Sequence, residues 1–305
     1  MSHTVGLFPG QGSQYVGMGS RLAESSAAAS RVFDRAGEAT GADLRLMCWA
    51  TESSELERTE NAQLALTVFS LAAQHAFEAE AGIGVAAFAG HSVGALAAAA
   101  AAGYLSVETA ARLAQTRGRL MATAPGEGGM LAVAVPAKDT AGESHRAGQE
   151  LAQSFDLDVA AHNSPRQMVL SGSKPALDRA ANALGAKAKR LSVSHGFHSR
   201  LMGPVEAEWH HTLDSIEIAE TGRTYIGCTD GMPTRTGADV RMDLKRGLRQ
   251  PVMWTSVMEE TLDFHRLCIF GSGRSIERLA RPYIRDREVL IVEDSATPSR
   301  GASRA

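Results

Sequence analysis

A serine stands between two glycines in the segment Gly90-His91-Ser92-Val93-Gly94, after a short apolar run and before an alanine-rich stretch. This G-x-S-x-G pattern is typical of a nucleophilic serine at a sharp turn from a strand into a helix. The glycines let neighbouring backbone approach closely while the hydroxyl stays free, and the following helix directs backbone N–H groups at an oxyanion beside the serine. The segment predicts nucleophilic acyl chemistry at Ser92, with an ordinary glycine-serine turn as the alternative.

A serine hydroxyl is a weak nucleophile until a base removes its proton, so a histidine must lie within hydrogen-bond reach. Among the ten histidines, His195 and His198 lie in the segment Ser194-His195-Gly196-Phe197-His198-Ser199. This segment follows the last strand of a predicted small domain, where the chain returns to a larger domain. That position favours a site in the cleft between the two domains. Spacing alone does not distinguish the two histidines, and a histidine satisfied by a backbone partner is the alternative for each.

Arg117 lies in a predicted helix, among the mainly apolar and small residues of Gln115-Thr116-Arg117-Gly118-Arg119-Leu120-Met121. A guanidinium in such surroundings binds a carboxylate through two parallel hydrogen bonds. A solvated arginine on a helix surface is the alternative that the pattern leaves open.

The elements that must position these residues indicate an α/β fold. Apolar runs at 5–8 and 85–89 end in glycine-containing turns and predict two buried strands. Residues 17–81 between them have the three- and four-residue spacing of helices. Further helices are predicted near 107–123 and, after residue 200, near 201–214, 239–249 and 252–263, with a strand at 267–270.

Residues 128–194 differ in character, because strands and helices are predicted there in the order βαββαβ, as in a ferredoxin-like unit. We therefore predict a large α/β-hydrolase-like domain with a parallel sheet, formed by residues 1–127 and 196–305. A small ferredoxin-like βαββαβ domain, residues 128–195, is predicted to be inserted into it. The tail 295–305 is expected to be frayed.

Composition narrows the possible functions. The chain has 305 residues, 44% hydrophobic and 21% charged, with a net charge of −3, so it shows no basic bias for nucleic acid. Its three cysteines are far apart and predict neither disulfides nor a metal site. No apolar run is long enough to span a membrane, and the first residues do not resemble a signal peptide. We expect a cytoplasmic protein.

Six segments, in this order and spacing, resemble the malonyl-CoA:acyl-carrier-protein transacylases of fatty-acid synthesis and the acyltransferase domains of polyketide synthases. The resemblance extends from about residue 6 to residue 282. The segments are Phe8-Pro9-Gly10-Gln11-Gly12-Ser13-Gln14, Gly90-His91-Ser92-Val93-Gly94, Arg117-Gly118-Arg119-Leu120-Met121, Asn163-Ser164-Pro165, Phe197-His198-Ser199 and Gln250-Pro251-Val252-Met253-Trp254.

The resemblance implies a role for each of these positions. Ser92 would carry the acyl group as an ester, with His198 as the general base. Arg117 would bind the carboxylate of a malonyl-type acyl group. The backbone amides of Gln11 and Val93 would form the oxyanion hole. Gln250 and Asn163 would orient the catalytic histidine. Further substrate contacts would come from His91, Gln63, Phe197, His195 and Met121.

The implied activity is ping-pong transfer of a malonyl-type acyl group from coenzyme A to the phosphopantetheine thiol of an acyl carrier protein, free or within a polyketide synthase. The coenzyme A thioester is then a substrate, and neither a bound cofactor nor a metal is implied. Lys187, Lys189 and Arg190 are predicted at the cleft edge, where they would meet phosphates of coenzyme A or an acidic carrier; solvated side chains are the alternative.

Some positions depart from the family pattern. Ala95 replaces a common glutamate, and Phe270-Gly271-Ser272-Gly273 replaces the usual Glu-x-Gly-Pro-Gly. Gly196 stands where malonyl-selective polyketide acyltransferases have alanine, so an enlarged pocket and an α-substituted malonyl unit remain open. Two alternative activities also remain open. One is an acyl hydrolase that clears carrier proteins. The other is an α/β-hydrolase esterase, whose fold needs several strands before the nucleophile elbow, the sharp strand-to-helix turn that carries the serine.

Overall fold

The structure is a computed structural model that describes residues 4–136, 141–220, 223–284 and 286–301. Its strands are β1 (Thr4–Phe8), β2 (Ala87–Gly90), β3 (Gly128–Ala134), β4 (Asp158–Ser164), β5 (Gln167–Ser173), β6 (Ala188–Arg190), β7 (Thr224–Ile226), β8 (Pro233–Thr234), β9 (Arg266–Phe270), β10 (Glu288–Val292) and β11 (Ser299–Arg300). Its α-helices are α1 (Ser20–Ser25), α2 (Ala27–Thr40), α3 (Leu44–Trp49), α4 (Ser53–Glu57), α5 (Thr59–Glu80), α6 (Gly94–Ala101), α7 (Val107–Ala122), α8 (Ala141–Ser154), α9 (Lys174–Leu184), α10 (Gly203–Asp214), α11 (Gly237–Arg246), α12 (Trp254–Glu260) and α13 (Arg274–Ala280).

The larger sheet of the described residues has the strand order β11-β10-β9-β1-β2-β7-β8. The strands from β10 to β7 are parallel, and β11 and β8 pair antiparallel at the two edges. Every residue of β1 and β2 is buried, as expected of central parallel strands. Phe8 at the end of β1 pairs with Gly90 at the end of β2. The loops after both strands therefore leave the same edge of the sheet, where ligands bind in open α/β sheets.

Helix α5 is buried along most of its length and packs against α2 and α7. Gly118 permits the close approach of α7, because a Cβ there would lie 2.8 Å from the Cα of Glu60 on α5. This packing places Arg117, on α7, beside Gln63, on α5. Although α5 is long and mainly apolar, none of the helices that the structure describes has the length and hydropathy needed to cross a membrane.

The smaller sheet has the order β4-β5-β3-β6 with antiparallel neighbours, and α8 and α9 lie in the connections. Alternate residues of its strands face opposite sides. Leu131 and Leu170 belong to an apolar cluster shared with residues of α8 and α9. Met130 and Val169 belong instead to the large core of the molecule and line the main cleft. The small sheet is thus covered by its own helices on one face and forms a cleft wall with the other.

The mixed α/β fold with a mainly parallel sheet and a second small sheet confirms the coarse prediction. β1 is the only strand before the elbow in residues 4–86, which does not meet the requirement of the esterase alternative. β7, β8 and β10 were not predicted; β7 and β8 are short, and β10 follows the last predicted helix. The tail prediction is wrong for Ser299–Arg300, because β11 pairs with Leu290 and Ile291. Residues 302–305 of the predicted tail, and the first three residues considered for a signal peptide, lie outside the described part of the chain.

Candidate active site

The turn from β2 into α6 holds Ser92 in a left-handed backbone conformation, with a φ of 54°. A side chain at such a φ is strained, so the surrounding packing must hold it in place. A Cβ on Gly90 would lie 2.0 Å from the Gly94 carbonyl carbon, and a Cβ on Gly94 would lie 2.5 Å from the Phe8 oxygen. Only glycine fits at both positions, and the predicted strand-turn-helix junction is confirmed.

Ser92 and His198 are hydrogen-bonded, with 2.7 Å between Ser92 Oγ and His198 Nε2. On the other side of the ring, His198 Nδ1 lies 3.0 Å from the backbone carbonyl oxygen of Gln250. A carbonyl oxygen only accepts, so Nδ1 carries the proton and Nε2 of the neutral ring accepts the serine proton. The imidazole is therefore oriented as a general base for Ser92, which is the geometry of an activated serine.

His198 is buried, with 5% of its surface exposed. Burial, with a further contribution from the positive charge of Arg117, lowers the pKa of His198 to about 3. The ring is therefore neutral at physiological pH and competent to accept a proton. Its orienting partner is a neutral backbone carbonyl, where a carboxylate stands in a serine-histidine-aspartate triad. The Gln250 side chain is exposed, so this residue acts on His198 through its backbone.

Arg117 is buried, with 3% of its surface exposed, and its guanidinium points at the nucleophile. Nη1 donates to Gln63 Oε1 at 2.7 Å, and Nη2 donates to the backbone oxygen of Gly247 at 2.9 Å. Nη2 also lies 3.4 Å from Ser92 Oγ. Gln63 is itself held by a 3.3 Å hydrogen bond from its Nε2 to the Met121 sulfur. Neutral groups thus hold the planar guanidinium of Arg117 with its Nη2 towards Ser92.

No carboxylate of the described residues pairs with the Arg117 guanidinium, and its hydrogen-bond acceptors are uncharged. Burial lowers the pKa of Arg117 to about 10, which still leaves the side chain cationic at physiological pH. A buried charge without a counter-ion is costly. Arg117 therefore has the properties of a receptor for an anion that arrives from outside, within reach of the Ser92 hydroxyl.

Val93 follows Ser92 in the chain, and Gln11 lies in the loop after β1, at the same edge of the sheet. Both residues line the cleft, and neither backbone amide donates to any group in the part of the chain that the structure describes. The Gln11 side chain is anchored by a 3.1 Å hydrogen bond from Nε2 to Thr59 Oγ1. Two free N–H groups beside a serine are the arrangement that an oxyanion hole requires.

Asn163 has a different partner from the one expected. Its Oδ1 accepts a 2.8 Å hydrogen bond from His91 Nε2, and its Nδ2 donates to Gln167 Oε1 at 3.2 Å. The ring of His91 also packs against Trp254, with 5.4 Å between the ring centroids. Asn163 thus orients the histidine that precedes Ser92, rather than His198, and connects the elbow to the small sheet. Asn163 lies near the carboxyl end of β4, at the elbow, whereas the first residue of the strand, Asp158, accepts a hydrogen bond from the Arg200 amide just after His198.

A cleft of about 530 Å³ opens over Ser92 between the two sheets. It is lined by the predicted residues Gln11, Gln63, His91, Ser92, Val93, Arg117, Met121, Asn163, Phe197 and His198. Gln250 lines a second cavity of about 500 Å³, on the other side of His198. His195 lines neither, and its Nδ1 is hydrogen-bonded to the neighbouring Ser194 hydroxyl at 2.8 Å. The structure thus brings His198, and not His195, to the serine.

Gly196 does not enlarge the cleft. A Cβ at this position would lie 2.9 Å from Leu201 Cδ1 and 3.1 Å from Ser171 Oγ, and Gly196 does not line the cleft. An alanine methyl would therefore point towards the small sheet rather than towards a bound acyl group. The expectation that this glycine makes room for an α-substituent has no support in the structure.

The three basic residues predicted at the cleft edge have different surroundings. Lys189 lines the cleft. Arg190 forms an ion pair with Asp178, which agrees with a solvated side chain on the strand edge. Lys187 is exposed and does not line the cleft.

Asp243, which belongs to none of the sequence motifs, holds the loop behind Arg117. Its buried carboxylate accepts hydrogen bonds from the Tyr225 hydroxyl at 2.5 Å and from the backbone amides of Cys228 and Thr229 at 3.0 and 2.9 Å. The Gly247 amide donates to the Asp243 backbone oxygen at 2.8 Å. This network positions the end of α11, where the Gly247 carbonyl meets Arg117. An aspartate in a polar helix carries no sequence signal for such a role.

A nucleophilic serine at a strand-to-helix elbow, a buried base and a two-lobed α/β architecture define an acyl-transferring enzyme of the serine type. The chain belongs to the family of acyl transferase domains, whose family model matches residues 5–262. This membership agrees with the resemblance that the six sequence segments indicated.

Relatives cover nearly the whole chain. The malonyl CoA-acyl carrier protein transacylase of Bacillus subtilis strain 168 is 32% identical over 305 residues, which cover 97% of this chain and 95% of the relative. A malonyl-transacylase solved in complex with a type II polyketide synthase acyl-carrier protein is 30% identical, with a TM-score of 0.87 over 96% of both chains. The acyltransferase domain from the second module of the salinomycin polyketide synthase is 29% identical, with a TM-score of 0.84 over 95% of this chain and 69% of that one.

Proposed function

We propose that the chain transfers a malonyl-type acyl group from coenzyme A to the phosphopantetheine thiol of an acyl carrier protein. The observation that carries the proposal is the buried Arg117 guanidinium, which lacks a carboxylate partner among the described residues and lies 3.4 Å from Ser92 Oγ. Ser92 in turn is hydrogen-bonded to His198. The similarity to a malonyl CoA-acyl carrier protein transacylase, and to a malonyl-transacylase solved with an acyl-carrier protein, supports the same substrates.

The first half-reaction forms the acyl-enzyme. His198 Nε2 takes the Ser92 proton as Oγ attacks the thioester carbonyl, and the amides of Gln11 and Val93 hold the resulting oxyanion. When the tetrahedral intermediate collapses, the carbon–sulfur bond breaks and the thiolate of coenzyme A takes the proton from His198. The Nδ1–H···O=C bond to Gln250 keeps the ring oriented through both proton transfers.

The second half-reaction reverses these steps with a new thiol. The phosphopantetheine thiol of the carrier protein gives its proton to His198 Nε2 and attacks the ester carbonyl. The bond to Ser92 Oγ breaks, and the alkoxide recovers the proton from His198. Each half-reaction uses the same cleft, so coenzyme A must leave before the carrier arm enters, which is the origin of ping-pong kinetics.

We further propose the finer architecture expected from the sequence. The strand order β4-β5-β3-β6, with one helix in each crossover, agrees with a ferredoxin-like βαββαβ unit. A separate apolar cluster in this unit supports its assignment as a domain over residues 128–195. Residues 1–127 and 196–305 then form the large domain, for which the nucleophile elbow at the carboxyl end of a parallel sheet supports the α/β-hydrolase-like description.

Intact-protein mass spectrometry with malonyl-CoA tests the proposal. We expect the mass of one malonyl group on the parent protein and none on the Ser92→Ala variant, because the ester forms on this hydroxyl. Addition of a holo acyl carrier protein should move the label to the carrier. Release of malonate to water at the same rate with and without the carrier, and an unloaded carrier, would reject a transferase.

A further inference from the structure

The charged residues that line the main cleft are all cationic. Arg117 lies at its base, and Lys189 and Arg278 also line it, whereas no aspartate or glutamate of the described residues does so. The chain as a whole has a net charge of −3, so the cleft contrasts with the rest of the molecule. A cavity with one sign of charge attracts a ligand of the opposite sign.

Lys189 and Arg278 come from opposite walls of the cleft. Lys189 lies on β6 of the small sheet, paired with Ala132 of β3, which also lines the cleft. Arg278 lies on α13, which belongs to the other wall together with Ile276 and Leu279. Lys189 and Arg278 are exposed, as expected of residues at the mouth of the cleft, whereas Arg117 is buried.

Neither cation is neutralised by a carboxylate of the described residues. The Arg278 Nε donates to the backbone oxygen of Arg274 at 3.3 Å, which leaves the terminal guanidinium nitrogens available. The neighbouring Arg190, by contrast, is paired with Asp178. Lys189 and Arg278 therefore differ from Arg190 in lacking an acidic partner among the described residues, and from Lys187 and Arg281 in lining the cleft.

Apart from the cations, the lining of the cleft includes apolar side chains such as Met130, Val169 and Leu191, and the amides of Asn163 and Gln167. A pantetheine arm has a matching distribution, because amide groups and methylenes separate its thioester from a phosphate at the far end. With a malonyl group on the thiol, such a ligand is anionic at both ends and uncharged between them. The cleft is complementary to such a ligand, with one buried cation, two exposed cations and an otherwise uncharged lining.

Resting on the proposed function, we propose that Lys189 and Arg278 form a two-sided clamp for the phosphate at the end of a pantetheine arm. This phosphate is part of the diphosphate in coenzyme A and is the phosphodiester in a carrier protein. Because the two substrates use the cleft in turn, one clamp serves both half-reactions. The apolar stems of the two side chains reach from opposite walls, and the arm is held between them.

Steady-state kinetics with two acyl donors tests the clamp. Malonyl-CoA carries the phosphates, whereas malonyl-pantetheine has the same arm and thioester without them. Lys189→Met and Arg278→Met remove the charges and keep unbranched apolar stems. We expect KM for malonyl-CoA to rise about threefold in each single variant and about tenfold in the double variant, since exposed charge contacts are individually weak. KM for malonyl-pantetheine should change less than about twofold.

Matched controls separate the clamp from general surface charge. Lys187→Met and Arg281→Met remove exposed cations near the same elements that do not line the cleft, and neither should discriminate between the two donors. Equal changes of KM for both donors in the double variant, or no change for either, would overturn the clamp. Failure of the parent protein to form an ester on Ser92 with either donor would instead reject the proposed function.

The second half-reaction distinguishes the two sources of phosphate. Protein preloaded with malonate on Ser92 is mixed with a holo carrier protein or with free pantetheine, and transfer is followed by rapid quenching. We expect the double variant to slow transfer to the carrier and not to pantetheine. A loss confined to malonyl-CoA in the first half-reaction would overturn the dual role and assign the clamp to coenzyme A alone.

Discussion

Replacement of Arg117 by alanine separates binding of the acyl carboxylate from the acyl-transfer chemistry. In the parent protein, Gln63 and Gly247 accept from the guanidinium and fix its direction, and Ser92 Oγ lies 3.4 Å away. A malonyl carboxylate held by this fork forms charge-assisted hydrogen bonds out of water, whereas an acetyl group has nothing to offer it. The variant should therefore lose malonyl transfer selectively.

The size of the loss follows from the burial of the site. A hydrogen bond to a charged group contributes about 1.5–3 kcal/mol, and removal of the buried partner of a carboxylate leaves that charge uncompensated. We expect kcat/KM for malonyl-CoA to fall by about 3 kcal/mol, or roughly 100-fold. For acetyl-CoA the loss should stay below about fivefold, because only the weak contact to Ser92 is removed.

The assay is the ratio of kcat/KM for malonyl-CoA to that for acetyl-CoA, with a holo carrier protein as acceptor. Arg119→Ala is the matched control, since Arg119 lies two residues further along α7, is exposed, and pairs with Glu208; its ratio should equal that of the parent. Arg117→Lys should restore only part of the preference, because an ammonium lacks the planar fork. Equal losses for the two donors in Arg117→Ala, with an unchanged melting temperature, would refute the carboxylate assignment.

Three further predictions concern the base and the elbow. Gln250→Ala should reduce kcat/KM less than about threefold, because the backbone carbonyl that orients His198 is retained. A loss of about two orders of magnitude in the same assay would instead assign the orientation of His198 to the Gln250 side chain. The pH profile of kcat/KM should lose activity on the acid side only below about pH 5, because the neutral ring of His198 is the active form. Burial, and secondly the positive charge of Arg117, lower the pKa of His198 to about 3. An inflection near pH 6.5 would contradict this prediction. Gly94→Ala should lower the free energy of unfolding by about 1–3 kcal/mol, because its Cβ would lie 2.5 Å from the Phe8 oxygen. Gly203→Ala is the control and should not lower it, because no atom lies within 4 Å of a Cβ at that position. Equal melting temperatures of the two variants would contradict the packing argument.

The sequence predicted those parts of the site in which a side chain of a particular type is necessary. Gly90, Ser92 and Gly94 belong to a junction that few other residues can form, and the strand and helix around them have clear hydrophobic patterns. The choice between His195 and His198 was open from spacing, because it depends on which imidazole the returning chain turns towards Ser92. Packing between the lobes decides it, and in the sequence only the resemblance of Phe197-His198-Ser199 to the family pattern pointed to His198.

Backbone groups explain most of what the sequence did not predict. The carbonyl oxygens of Gln250 and Gly247 hold His198 and Arg117, and every residue type carries such an oxygen, so no residue type marks the position. The short edge strands β7 and β8 have the same origin, because they are defined by pairing with β2 and with each other rather than by their own periodicity. Likewise, the partner of Asn163 follows from the end of β4 at the elbow.

The neutral partner of His198 and the lack of a carboxylate beside Arg117 among the described residues are two aspects of one electrostatic arrangement. A carboxylate at the position of the Gln250 carbonyl would raise the pKa of His198, and its negative charge would attract the nearby guanidinium. Arg117 would then be partly neutralised before any substrate arrived, and a malonyl carboxylate would have to compete with it. With a carbonyl oxygen in that place, the ring is still oriented, while the positive charge of Arg117 remains available. This charge would also favour the oxyanion that develops at the acyl carbon beside Ser92, so the cation that we propose selects the acyl group would assist its transfer as well.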